Sequence, residues 1–143
     1  MSDELFAAFK AAMVGRTCRV RRREGDWAFA FGDDCGLTTG ASWRLVGPER
    51  LAVADGDDGQ LFGRTTPVDV ERDANAILAR LAVASVAIKP ITCDLHVSFD
   101  TGVTLDVINT SSGYEAWQAY FVSETGPMTL VAQGGGGLFA SLA

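Results

Sequence analysis

Slid against itself by 68 residues, the chain lays "MVGRTCRVRRREGDWAFAF" over "LAVASVAIKPITCDLHVSF" without a gap. Met13 falls on Leu81, Cys18 on Val86, Val20 on Ile88 and Asp26 on Asp94, while Trp27, Phe29 and Phe31 fall on Leu95, Val97 and Phe99. With small shifts the agreement continues: Trp43 meets Trp117, Gly47-Pro48 meets Gly126-Pro127, Leu51 meets Leu130, and "GQLFG" meets "GGLFA". Ordered agreement along the whole chain is the mark of an internal repeat. The halves are residues 1–66 and 67–143, give or take a few positions. Units this small cannot easily bury their apolar faces separately. Only the short "TTPVD" lies between them, with no Gly/Ser-rich or Pro-rich linker. The expectation is one domain over 1–143, made of two repeats related by an approximate two-fold axis.

Each half opens with helical spacing. Ser2 is an N-cap candidate, Asp3 and Glu4 suit a first turn, and Leu5, Phe6, Phe9 and Met13 form one apolar stripe that Gly15 stops. In the second half Asp69 is the cap, and Val70, Ala74, Ile77, Leu78 and Leu81 form the stripe. Alternation then takes over. "DWAFAF" aligns Trp27, Phe29 and Phe31, "DLHVSFD" aligns Leu95, Val97 and Phe99, and "DTGVTLDV" aligns Val103, Leu105 and Val107. "WRLVGPERLAVAD" and "WQAYFVSETGPMTLVA" read as hairpins broken at Gly-Pro. Each half is thus one helix and about four strands. The expected fold class is α+β, with two helices covering a mostly antiparallel sheet.

Charge and apolar content narrow the function. The chain is 48% hydrophobic and 21% charged, a globular balance. "MSDELFAAFK" lacks the positive start of a signal peptide, and "ILARLAVASVAI" is too short, and broken by Arg80, to span a bilayer. A cytoplasmic protein without a membrane role is expected. Cys18, Cys35 and Cys93 are odd in number and lack C-x-x-C spacing. Buried reduced thiols are expected, with no disulfide framework, no metal site and no cofactor.

Residues 16–23 concentrate five arginines, Arg16, Arg19, Arg21, Arg22 and Arg23, in a chain of net charge −6. Their repeat counterparts are mostly neutral, so the repeated core does not require them. Strand alternation sets Arg19, Arg21 and Arg23 on one face and Cys18 and Val20 on the other. They read as a solvated edge-strand face or a contact surface for anionic groups. Net charge −6 less the cluster's +5 leaves −11 on the remainder, a field that opposes nucleic acid and suits a protein partner or self-association.

Other chemistry is sparse. His96 lies beside Asp94, Ser98 and Asp100 on one strand, a spacing that does not give a nucleophile, base and orienter converging geometry. "DGDDG" lacks the later ligands of a calcium loop, and "QGGGGLF" has no lysine of a phosphate loop and reads as a flexible turn. No catalytic set emerges. "SSGYEAW" offers Tyr114 and Glu115 as surface contacts, with Trp117 repeating the core role of Trp43.

With "GRTCRV", "DLHVSFDTGVTLDV" and "YEAW", the chain resembles an uncharacterised family of small bacterial proteins, a domain of unknown function with a repeated "G-x-x-V", "D-L-x-x-x-F-D-x-G" and "Y-E-A-W" pattern. The likeness covers about half the chain, mostly in its second half; "DWAFAFGDDCG" departs from it. It implies a bacterial source and kinship with small acidic domains such as immunity proteins. The expected function is a non-enzymatic protein-binding module. The alternatives are a small-molecule or enzymatic site at the junction of the repeats, and a homo-oligomeric structural domain.

Overall fold

The computed structural model describes residues 3–142, so the expected cap Ser2 lies outside the described residues. The first helix, α1, spans Asp3–Met13 and buries Phe9 and Met13. Gly15, at φ +85°, turns the chain out of it. Five strands follow: β1 (Arg19–Arg22), β2 (Trp27–Ala30), β3 (Gly36–Thr39), β4 (Ser42–Val46) and β5 (Leu51–Ala54). The second helix, α2 (Val70–Leu78), is capped by Asp69, whose carboxylate accepts the Arg72 N–H at 3.1 Å. Leu81 belongs to the turn after it. Its N–H bonds to the Leu78 carbonyl, and Asp100 takes the Ala82 N–H, which ends the helix before the stripe does. Then come β6 (Val83–Ile88), β7 (Leu95–Phe99), β8 (Thr104–Ile108), β9 (Trp117–Ser123), β10 (Gly126–Ala132) and β11 (Leu138–Leu142).

These strands build two antiparallel sheets, an α+β arrangement. Sheet A has the order β1-β2-β3-β9-β10-β11, and sheet B the order β5-β4-β8-β7-β6. Sheet A therefore joins strands from both ends of the chain, and sheet B takes the five consecutive strands between them. The expected four strands per half become five before α2 and six after it. The second hairpin also turns at Glu124-Thr125 rather than at Gly-Pro, because Ser123 already pairs with Gly126 and Pro127 stands in β10 opposite Val122.

The sheets meet through large side chains. Trp43 of sheet B stands edge-on to Trp27 and Phe29 of sheet A, with centroids 5.1 and 5.0 Å apart. Trp117 stacks against Phe9 of α1, and its indole N–H donates to the Cys93 carbonyl at 2.9 Å. α1 packs on β9 and β6, and α2 on β1 and β5, so each helix closes one side between the two sheets. All three cysteines are buried and free. Burial raises the Cys18 thiol well above its ordinary range and pushes Cys35 up to about 11.

The glycine run after β10 is not a free turn. Gly135 donates to the Ser111 carbonyl at 3.0 Å and Gly137 to the Cys93 sulfur at 3.1 Å. A Cβ on Gly134 would meet the Gly113 backbone at 2.3 Å, and one on Gly136 the Ile91 carbonyl oxygen at 1.7 Å. Three loops, 89–94, 109–116 and 133–137, thus lock together by backbone contact that side chains would block.

Candidate protein-contact face

Of the five arginines, three are held within the chain. Arg16 bonds to Asp34 and to the Phe31 carbonyl. Arg22 makes a bidentate pair with Asp58 at 2.7 and 2.8 Å, reaches Asp69 at 3.4 Å and lies over Trp27. Arg23 is not on the strand face with Arg19 and Arg21. The strand ends at Arg22, and Arg23 sits in the β1–β2 turn, paired with Asp26 at 2.7 Å. Arg19 and Arg21 project from β1 exposed, with no ion pair among the described residues.

β1 is an edge strand of sheet A, and its free backbone groups find partners on α2. The Asn75 amide accepts from Val20 N–H at 2.7 Å and donates to Val20 C=O at 2.8 Å, and Glu71 accepts from Arg22 N–H at 2.8 Å. The arginines are therefore not needed to blunt this edge.

Asp58 ties this corner together. Beside the Arg22 guanidinium, and accepting the Val70 N–H, its carboxyl is held below the usual carboxylate range. A lowered folded-state pKa adds stability that is present above the ordinary value and is lost as pH falls through the folded one. Asp58→Ala is expected to cost about 1–2 kcal/mol near neutral pH. The gap to the native chain should narrow as pH is lowered from about 4 downward, read by urea unfolding across that range.

The strand register shows what accompanies Arg19 and Arg21. One row across sheet A runs Arg19, Ala30, Gly36, Tyr120, Thr129, Ser141; the next runs Arg21, Ala28, Thr38, Gln118, Val131, Phe139. The intervening row, Val20, Phe29, Leu37, Ala119, Leu130, is buried in the core. The two outer rows therefore face away from sheet B. Tyr120 lies across Gly36, where a Cβ would sit 2.4 Å from its ring. The face is thus low and broad, small residues in the middle, cations at one end, and Tyr120, Val122 and Phe139 exposed toward the other.

At one end of this face a groove of about 360 Å³ opens, lined by Arg23, Asp26, Thr38, Glu115 and Gln118 among others. Arg23 and Glu115, far apart in sequence, thus share a groove at the β3–β9 seam. Tyr114 does not line it. It stands 83% exposed on the preceding loop, its N–H held by the Ser111 hydroxyl.

The outer face of sheet B carries a polar cluster that strand-local reading missed. His96 Nδ1 meets Asp106 Oδ1 at 2.7 Å, and Arg44 Nε reaches Asp106 Oδ2 at 3.1 Å. Asp94 and Asp100, which flank β7 on either side, serve backbone N–H groups of Asn109 and Ala82 instead. Folding "HVSFDTGVTLD" about Thr101 would have set His96 opposite Asp106, as the register does. A carboxylate can only accept, so Nδ1–H donates to Asp106 in this contact. Among the described residues no three His, Cys, Asp or Glu side chains come together to hold a metal ion, and no helix is long and apolar enough to cross a membrane.

Compared with known proteins, the chain matches no family model, no curated protein and no solved structure.

Proposed function

We propose that the chain is a non-enzymatic protein-binding module of the bacterial cytoplasm, of the immunity type, and that the outer face of sheet A receives an acidic partner. The observation that carries this is the pair of unsatisfied cations, Arg19 and Arg21, set in two rows with exposed Tyr120 and Phe139. Arginine and aromatic side chains are the usual anchors of such contacts. The module is read as two repeats. The strand order supports this: sheet A runs β1-β2-β3 then β9-β10, and sheet B runs β6-β7-β8 then β4-β5. Under the repeat, each sheet takes three strands from one half and two from the other, and β11 is an addition without a counterpart. The groove at the β3–β9 seam favours a second reading, a small-molecule site built around Arg23 and Glu115.

Arg19→Ser/Arg21→Ser is the test. Both residues are exposed, so stability should fall by no more than about 0.5 kcal/mol each. The native chain, immobilised against a lysate of its source, should retain a partner that the double variant releases and that salt weakens. Equal retention by both forms would rule out this face. Retention of labelled DNA or RNA by the native chain, lost in the variant, would replace the protein partner with a nucleic acid.

A further inference from the structure

We infer that β11 is a self-pairing edge, through which two copies of the chain join sheet A to sheet A in antiparallel register about Ala140. This goes beyond the partner-binding face and does not depend on it.

The sheet edges are treated differently. At β1 the side chains of Asn75 and Glu71 take the outward backbone groups. At β6 the connector after α1 does so, with Gly15 N–H on the Val83 carbonyl and Val83 N–H on the Arg16 carbonyl, both at 2.8 Å. β5 is only four residues long, and its pairing with β4 is interrupted by a register shift. β11 pairs with β10 through five consecutive residues without interruption. Among the described residues nothing is hydrogen-bonded to its other side. Short length, bulges, charge and proline are the usual protections of an edge, and "LFASL" has none of the last three.

Charge selects the occupant. Residues 126–143 contain no Asp, Glu, Lys or Arg, in a chain that is 21% charged and carries −6 overall. Two copies would repel over most of their surfaces. Along this strand they meet without opposing like charges. Antiparallel pairing about Ala140 sets Leu138 opposite Leu142 of the second copy and Phe139 opposite Ser141. Leu142 is 68% exposed and Phe139 53%, and each gains an uncharged cross-strand neighbour. Other centres of pairing leave part of the five-residue strand unpaired. The joined sheet would have twelve strands, six from each copy, with the Arg19/Arg21 ends at its two far edges.

Two measurements decide it. Sedimentation of the native chain at tens of micromolar should give a dimer. Phe139→Lys/Ser141→Lys sets lysine opposite lysine twice, and should give a monomer with unchanged circular dichroism, since both sites are exposed. A monomer for the native chain, or an unaffected dimer for the variant, overturns the inference. For the register, Phe139→Cys and Ser141→Cys chains are oxidised separately and as a mixture, the native thiols being buried. Cross-linked dimer should form at least tenfold faster in the mixture than in either variant alone. Equal rates overturn the Ala140-centred pairing. A monomeric native chain that still lost its partner on Arg19→Ser/Arg21→Ser would sink the dimer and leave the partner-binding face standing.

Discussion

Trp117→Ala is expected to lower the stability of the fold by about 3–5 kcal/mol. Trp117 is 1% exposed and stacks on Phe9, so its removal opens a cavity between α1 and sheet A. Its indole also donates to the Cys93 carbonyl, binding β9 to the loop that leads into β7. Loss of that donor leaves a buried acceptor without its partner. Trp43 is equally buried, yet its indole nitrogen has no hydrogen-bond partner among the described residues. The conservative changes should therefore separate. Trp117→Phe loses volume and a hydrogen bond, whereas Trp43→Phe loses volume and sheds an unpaired donor. Urea unfolding should rank Trp117→Ala as most damaging, then Trp117→Phe, then Trp43→Phe. A Trp43→Phe chain less stable than Trp117→Phe would contradict the assignment of roles.

Gly136→Ala is expected to cost at least about 3 kcal/mol, a large effect for one methyl group. Two causes act together. Gly136 has φ +98°, where an L side chain is strained, and the new Cβ would lie 1.7 Å from the Ile91 carbonyl oxygen. That oxygen is backbone and cannot swing aside, so the 89–94 loop or the turn into β11 must move. Gly126→Ala is the control: φ is +115° but nothing lies within 4 Å of its Cβ. It should pay conformational strain alone, about 1–3 kcal/mol. Thermal unfolding of the two variants checks the difference, and equal losses would show that the close approach at Ile91 is unimportant.

What could be read from the residues depended on how far the information travels along the chain. β7 places three apolar residues at alternate positions, β2 and β8 place two each with Phe31 and Val103 continuing the alternation just outside them, and Asp69 stands ahead of a helical stripe; both patterns are local. β3 escaped because Gly36–Thr39 offers one large apolar side chain, Leu37, among glycine and threonine. It becomes a strand through its neighbours, between β2 and β9. The pairings β3 with β9 and β4 with β8 are set by sheet assembly, which no local pattern encodes. The same limit applies to the contact face. Alternation separates Arg19 and Arg21 from Val20, but Tyr120 and Phe139 join their rows only through register across six strands. Asp106 is ten residues from His96 and becomes its neighbour only through the pairing of β7 with β8, which strand-local spacing does not encode.

The partner-binding face is tested most directly by position-specific photo-cross-linking in the living source cell. A photoreactive phenylalanine analogue is placed at Tyr120 on the outer face of sheet A, and in a separate chain at Thr104 on the outer face of sheet B. Tyr120 is exposed and Thr104 half-buried, each on a face turned away from the core, so both chains should fold. The expected result is a discrete adduct with a second protein species from position 120, absent from position 104 and reduced when Arg19 and Arg21 are serine. Adducts from position 104 alone, or equal labelling from both faces, would contradict the assignment of sheet A as the contact surface.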